Sequence, residues 1–123
     1  MISSKVTPAH YRYKRLVDVG EELRRNLTNE KRALVSGTLG ILYRNLGRFK
    51  QAETAYKEAL KIRRELAEKN PETYIPKLIT TQINIARFYV ATGKSEEGID
   101  LLMETLEQGN LSVSQKATAF AAL

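Results

Sequence analysis

The chain repeats a pattern of residues at an interval of 46. Residues 39–52, LGILYRNLGRFKQA, align with residues 85–98, IARFYVATGKSEEG, so that Gly47 falls on Gly93. Each copy has a large apolar residue before a small one, then a tyrosine one turn later, and then a glycine. A small residue lets a neighbouring helix approach closely, and glycine adopts the positive φ that ends many helices. Each copy therefore predicts two helices joined by a tight turn, as in a repeat architecture.

Partial copies of the pattern extend toward both ends of the sequence. Ala9–Leu23 aligns with Ala52–Leu66 at an interval of 43, so residues 8–26 are predicted to be the second helix of an incomplete repeat. The last residues resemble the start of another first helix, because Ser112 and Gln115 have the spacing of a capping box. We expect the chain to begin and end within a repeat, either as part of a longer array or with its end helices as caps.

Start and stop signals divide the chain into helices. Proline is tolerated in the first turn of a helix, and it marks possible starts at Thr7-Pro8, Asn70-Pro71 and Ile75-Pro76. Ser95 is expected to cap the fifth helix, and Gly109-Asn110 to end it. No stretch alternates apolar and polar residues as a strand does. The prediction is an all-α fold of about six helices in a single domain, residues 1–123. It begins with the trailing helix of a partial repeat (8–26) and ends with a capping or truncated helix (112–122). Between them lie a repeat (29–69, helices 29–46 and 49–69) and a second repeat (75–108, helices 75–92 and 95–108).

The composition limits the chemistry that the chain can support. It has no cysteine and one histidine, His10, which excludes disulfides, thiolate metal sites and histidine-cluster metal sites. No nucleophile–base pair or glycine-rich phosphate loop is visible, so we expect no cofactor, no metal and no enzymatic activity. No apolar run is long enough for a signal peptide or a membrane span, and a cytoplasmic location is the default.

The charge balance suggests a polyanion as an alternative partner. The chain has 20 basic and 14 acidic residues, a net charge of +6. Residues 1–66 carry 15 basic and 7 acidic residues, whereas residues 67–123 carry 5 and 7. Glutamates precede several basic clusters by one turn, such as Glu58 before Lys61 and Arg63, which is typical of ion pairs along a helix surface. With no nucleic-acid-binding motif present, nucleic acid is the alternative and not the expected partner.

The repeated segment resembles the tetratricopeptide repeat. The resemblance is carried by Leu46–Leu60 and by Thr81–Ala86, and it is strongest over residues 33–106. The interval exceeds the usual length of about 34 residues, as in the long repeats of kinesin light chain. The family implies a short right-handed solenoid of antiparallel helix pairs. The sequence departs from it at Ser95 and Gly98, where an aromatic residue and alanine are usual, and this predicts looser packing in the second repeat.

The resemblance implies an interaction module whose first helices line a concave, partner-binding surface. Asn84 occupies a position that in such repeats often bonds the main chain of an extended peptide, and Arg44 and Arg87 add positive donors beside apolar residues. The residues for a lysine-and-asparagine carboxylate clamp are absent, since Gly37 and Ile41 stand in their places. We expect a peptide or protein partner with apolar and acidic side chains, bound by Leu34, Ile41, Arg44, Asn45, Thr80, Ile83, Asn84, Arg87 and Val90.

Other interpretations of these residues remain open. The same stripes could pack against neighbouring or terminal helices, or face water. Open array ends could also stack between chains, giving a homo-oligomer. The aromatic residues at core spacing are expected to be buried and not to form a binding box; they are Tyr43, Phe49, Tyr56, Phe88 and Tyr89.

Overall fold

The computed structural model describes residues 8–108 and 111–122, and within them every regular element is an α-helix. The helices are α1 (Pro8–Arg25), α2 (Asn29–Asn45), α3 (Phe49–Lys69), α4 (Pro71–Ala91), α5 (Ser95–Glu107) and α6 (Val113–Phe120). The all-α prediction is confirmed. The chain divides into two compact units, Met1–Ile62 and Arg63–Leu123, and the division into repeats and a single domain stays a prediction.

The first unit is held together by small residues that let its helices come close. α1 packs on α2, and Gly40 of α2 lies directly against Tyr56 of α3. A Cβ atom on Gly40 would stand 2.6 Å from the Tyr56 ring, a distance that no real Cβ contact shows. Tyr56 itself is 2 % exposed and forms the centre of this core. The other buried apolar residues of the unit are Val17, Ala33, Leu39, Leu42, Tyr43, Ala52, Ala55, Ala59 and Leu60.

The second unit is built in the same way, with the glycine on the other helix. Here α4 packs on α5, and α6 contacts both. Gly98 of α5 is buried, and a Cβ there would stand 2.9 Å from the carbonyl oxygen of Ala86. At Gly98 itself the helices lie close together, because the missing methyl group lets α5 lie against the α4 backbone. The looser packing expected of the second repeat as a whole stays a prediction. The core also includes Leu78, Ile79, Ile85, Phe88, Tyr89, Leu101, Leu102 and Ala119.

The predicted glycine turns are confirmed at both positions. Gly47 and Gly93 have φ angles of 75° and 84°, the left-handed conformation that glycine adopts without steric cost. The following residue returns its N–H to the helix: Arg48 donates to the Tyr43 carbonyl at 2.8 Å, and Lys94 donates to the Tyr89 carbonyl at 2.7 Å. This is the Schellman motif, which satisfies carbonyls left open at the end of a helix.

Three local predictions are wrong, each for a local reason. α4 begins at Pro71 and not at residue 75, because Asn70 accepts a hydrogen bond from the Thr73 N–H and Pro76 is accommodated inside the helix. Ser95 is the first residue of α5 and not its cap; Lys94 takes the cap position without a side-chain bond. Phe49 is 49 % exposed at the start of α3.

Other predicted signals are confirmed or fall outside the described residues. The Ser112–Gln115 capping box is present, with bonds of 2.9 and 3.1 Å. Thr7 and Gly109-Asn110 lie outside the described residues. Over residues 8–108 and 111–122, no helix combines the length and the apolar character that crossing a membrane requires.

Candidate functional site

The outward face of α2 carries an exposed stripe of apolar and polar residues. The helical period of 3.6 residues places Leu34, Thr38, Ile41, Arg44 and Asn45 on one side, opposite the buried side of the helix. All five are exposed, Leu34 by 58 % and Ile41 by 42 %. Thr38 was not among the predicted site residues, although the same period places it there. We call these five residues the α2 stripe.

Arg44 links the α2 stripe to the core beneath it. Burial raises the pKa of the Tyr56 hydroxyl, and the positive charge of the nearby Arg44 acts in the opposite direction. Arg44 is nevertheless exposed to solvent. Its guanidinium is therefore accessible to a partner.

The corresponding face of α4 is only partly exposed. Thr80 and Arg87 are exposed and Val90 is 38 % exposed, whereas Asn84 is half-buried. Ile83 is only 6 % exposed, so its side chain belongs to the core of the second unit. The exposed residues Thr80, Arg87 and Val90 are called the α4 stripe.

At equivalent positions of the two stripes, one stripe has a cation where the other has an apolar residue. At the repeat interval of 46 residues, Ile41 corresponds to Arg87, and Arg44 corresponds to Val90. Each stripe thus offers one cation and at least one exposed apolar side chain, in the opposite order.

Arg87 is already engaged within the second unit. Its Nε donates to the carbonyl oxygen of Ala122 at 3.1 Å, just after the end of α6. At its other end α6 approaches the start of α4, where Gln115 lines a cavity with Pro71 and Pro76. The α6 helix therefore runs along α4 in the same direction, and Arg87 fixes its end.

An ion cluster that local spacing did not predict organises the first unit. The Glu58 carboxylate on α3 accepts hydrogen bonds from Arg32 at 3.0 and 3.1 Å, from Ser36 at 2.6 Å and from Arg24 at 3.2 Å. Arg24 comes from α1, and Arg32 and Ser36 come from α2. The hydrogen bonds and charge of Arg32, assisted by Ser36 and Arg24, outweigh burial and lower the pKa of Glu58 to about 2.

A second carboxylate extends this cluster. Glu21 accepts from Arg24 at 2.9 Å and from the Tyr43 hydroxyl at 2.5 Å. Burial would raise the pKa of Glu21, but the bonds from Tyr43 and Arg24 lower it overall. Burial and the bond to Glu21 raise the pKa of Tyr43 to about 12.

The cluster forms part of the wall of a cavity of about 230 Å³ in the first unit. Its charged groups already bond one another, so the cavity wall is stabilised by internal pairs and the bonding capacity of these groups is taken up. The lining residues are Glu21, Arg24, Tyr43, Lys50, Gln51, Thr54, Ala55 and Glu58.

The second unit contains an equivalent, more exposed arrangement. Glu104 lies 46 residues after Glu58, and Gln82 lies 46 residues after Ser36. Glu104 accepts from Gln82 at 3.0 Å and from Arg64 of α3 at 2.6 and 2.8 Å. In both units, then, a carboxylate on the second helix of a pair joins the first helix and the helix before it. None of the described residues forms a cluster of histidine, aspartate and glutamate that could hold a metal ion.

The comparison with known families identifies the repeat. A family model described as tetratricopeptide repeat matches residues 37–72, which run from the middle of α2 through α3. Residues 37–72 carry a tetratricopeptide repeat. No curated protein and no solved structure matches the chain. Tetratricopeptide repeats act in general as protein-interaction modules and not as enzymes, and the closer resemblance to kinesin light chain stays a prediction.

Proposed function

We propose that the protein binds an extended segment of a partner protein along the α2 stripe. The α4 stripe of the second unit is a separate candidate contact surface. The observation that carries this proposal is the exposure of Leu34 and Ile41 on the same side of α2 as the exposed cation Arg44. The tetratricopeptide repeat match supports protein binding in general, and the residue types of the α2 stripe indicate which kind of partner segment would fit.

The spacing of the α2 stripe suits an extended peptide. Leu34 and Ile41 are seven residues apart, which is about 10 Å along a helix. An extended chain rises by about 3.3 Å per residue, so about four residues of peptide span both side chains. Covering partly exposed apolar side chains with a partner lowers the free energy, so their burial favours binding.

The polar residues of the stripe favour an acidic segment. The Arg44 guanidinium can donate two parallel hydrogen bonds to a carboxylate. Asn45 can both donate to and accept from a peptide main chain. We therefore expect the bound segment to combine apolar side chains with aspartate or glutamate.

Selection from a library of random linear peptides tests the proposal. The wild-type chain should enrich peptides that contain apolar and acidic residues, and their affinity is then measured by fluorescence anisotropy. Arg44→Glu should weaken these peptides at least about tenfold, since it replaces attraction by repulsion. Lys61→Glu on α3 makes the same charge change at another exposed position and should leave binding intact.

A second pair of variants separates the apolar contribution. Ile41→Ser should weaken the selected peptides, whereas Val113→Ser, at a more exposed apolar position on α6, should not. Equal binding by all variants would contradict the α2 stripe as the site. The α4 stripe, together with the half-buried Asn84 beside it, is tested separately by Asn84→Ala combined with Arg87→Glu, with circular dichroism to confirm that α6 stays folded.

The polyanion alternative is addressed by how the basic residues are used. Arg24, Arg32 and Arg64 each donate to a carboxylate, which reduces the charge available to phosphates. A salt titration with a labelled single-stranded oligonucleotide tests this alternative, because phosphate contacts give a steep dependence on salt. The polyanion alternative and the cytoplasmic location stay predictions from the sequence.

A further inference from the structure

The outer face of α1 is an exposed stripe of basic and apolar residues. Leu16, Val19 and Leu23 are 53 %, 54 % and 47 % exposed, and Arg12 and Arg15 are also exposed. The helical period brings the five onto one side, opposite the face that carries buried Val17. We call them the α1 face. Three apolar side chains aligned in this way exceed the scattered exposure that is normal for single residues.

The outer face of α5 is an exposed stripe of acidic and apolar residues. Ile99 and Met103 are 47 % and 49 % exposed, and Glu96, Asp100 and Glu107 are also exposed. They too lie on one side of their helix, opposite the buried residues Leu101, Leu102 and Thr105. We call these five exposed residues the α5 face.

The two faces have the same spacing and opposite charge. Counted in chain order from Arg12 on α1 and from Glu96 on α5, the other four residues of each face follow at 3, 4, 7 and 11 positions. The α1 face has two arginines and three apolar residues, and the α5 face has three carboxylates and two apolar residues. Each face lies entirely within one of the two compact units.

We infer that the α1 face of one chain binds the α5 face of a second copy of the same chain. Such a contact joins two different surfaces, so it is heterologous. Pairing two α1 faces, or two α5 faces, would bring like charges together. Only the mixed pairing covers apolar surface on both helices while placing arginines among carboxylates, which selects it over the two alternatives. This inference is independent of the proposed peptide binding, because it uses neither the α2 nor the α4 stripe.

Sedimentation velocity of the full chain over a range of concentrations and salt tests the inference. The weight-average mass should rise with protein concentration and fall when salt is added, since exposed charges are screened. Arg12→Glu plus Arg15→Glu should abolish association, because both faces are then acidic. Asp100→Arg plus Glu107→Arg should abolish it as well, because both faces are then basic.

Mixing the two double variants decides the pairing. In the mixture each reversed face meets a partner of opposite charge, so association should return to about the wild-type level. Lys61→Glu plus Lys69→Glu and Glu65→Arg plus Glu68→Arg make the same changes in net charge on α3 and should associate like wild type. All of these substitutions are at exposed positions, and circular dichroism verifies the fold.

Three outcomes would overturn the inference. The first is a wild-type chain that stays monomeric at every concentration tested. The second is association that survives both double variants, which would indicate a different surface. The third is a mixture of the two variants that fails to associate although each is folded. Val19→Asp and Met103→Asp should each weaken the wild-type association, as the apolar part of the contact requires.

Discussion

Arg32 on α2 forms a bidentate salt bridge with Glu58 on α3. Its Nε donates to Oε1 at 3.0 Å and its Nη2 donates to Oε2 at 3.1 Å. This parallel geometry fixes both position and orientation, which a lysine in the same place could not do. Because Arg24 of α1 donates to the same carboxylate, one side chain connects three consecutive helices.

Replacing Glu58 by glutamine should destabilise the protein markedly. Glu58→Gln keeps the shape but leaves Arg24 and Arg32 facing a neutral group, and breaking such a partly buried network costs about 2 kcal/mol. Urea denaturation should show this loss in the free energy of unfolding. Glu65→Gln, at an exposed position on the same helix, should change it by less than about 0.5 kcal/mol.

The stability of the wild-type protein should fall on the acid side of pH 4.5. The pKa of Glu58 is about 2 in the folded protein, against an ordinary 4.5. Its contribution is therefore complete above pH 4.5 and is lost as the pH falls toward 2, by at most about 3 kcal/mol. Urea denaturation at a series of pH values measures this curve. The Glu58→Gln variant should lose less stability over the same range, and parallel curves would contradict the assignment.

The equivalent carboxylate of the second unit should matter less. The Arg64 and Glu104 side chains are 43 % and 48 % exposed, so solvent screens their interaction. A double-mutant cycle with Arg64→Ala and Glu104→Ala should give a coupling energy of no more than about 1 kcal/mol. A coupling as large as that between Arg32 and Glu58, measured in the same way, would show that exposure does not determine the difference.

Adding a methyl group at Gly40 should destabilise the first unit. The new Cβ would stand 2.6 Å from the Tyr56 ring, and such overpacking costs about 1–3 kcal/mol. Gly37→Ala is the matched control on the same helix, because its Cβ would be 4.0 Å from Ala59; it should stabilise by about 0.5–1 kcal/mol through helix propensity. If the clash is the cause, the cost of Gly40→Ala should shrink in a Tyr56→Leu background.

Alanine substitutions at Gly47 and at Gly93 should destabilise the protein by similar amounts. Gly47 and Gly93 both have positive φ, and nothing lies within 4 Å of a Cβ there, so the effect is purely conformational. Gly47→Ala and Gly93→Ala should each cost about 1 kcal/mol in thermal or urea unfolding. Asparagine, which tolerates this conformation better, should cost less at the same positions.

The predicted helix pairs and turns depend on local information. Gly47 and Gly93 end their helices through bonds that reach back only five residues, so the sequence pattern around them was sufficient. The start of α4 was misplaced because two prolines offered two starts. The bond from the Thr73 N–H to Asn70 decides between them.

The sequence could predict only those properties of the candidate site that depend on the helical period. The exposure of Leu34, Ile41, Arg44 and Asn45 on one side of α2 follows from that period, and their role in binding stays a prediction. The period could not show that Ile83 is buried or that Arg87 donates to Ala122. Both depend on how the other elements of the second unit pack against α4.

The sequence by itself determined an all-α repeat, its turns at Gly47 and Gly93, and the helix faces that carry Tyr43 and Tyr89. These features arise from periodicity and backbone conformation, which act over a few residues. Only the tertiary structure decided the partners of Glu58. Lys61 lies one turn away on the same helix, yet the carboxylate bonds Arg24 and Arg32 instead. Packing brings these arginines together from other helices, and the shared, partly buried geometry lets them donate to both oxygens at once.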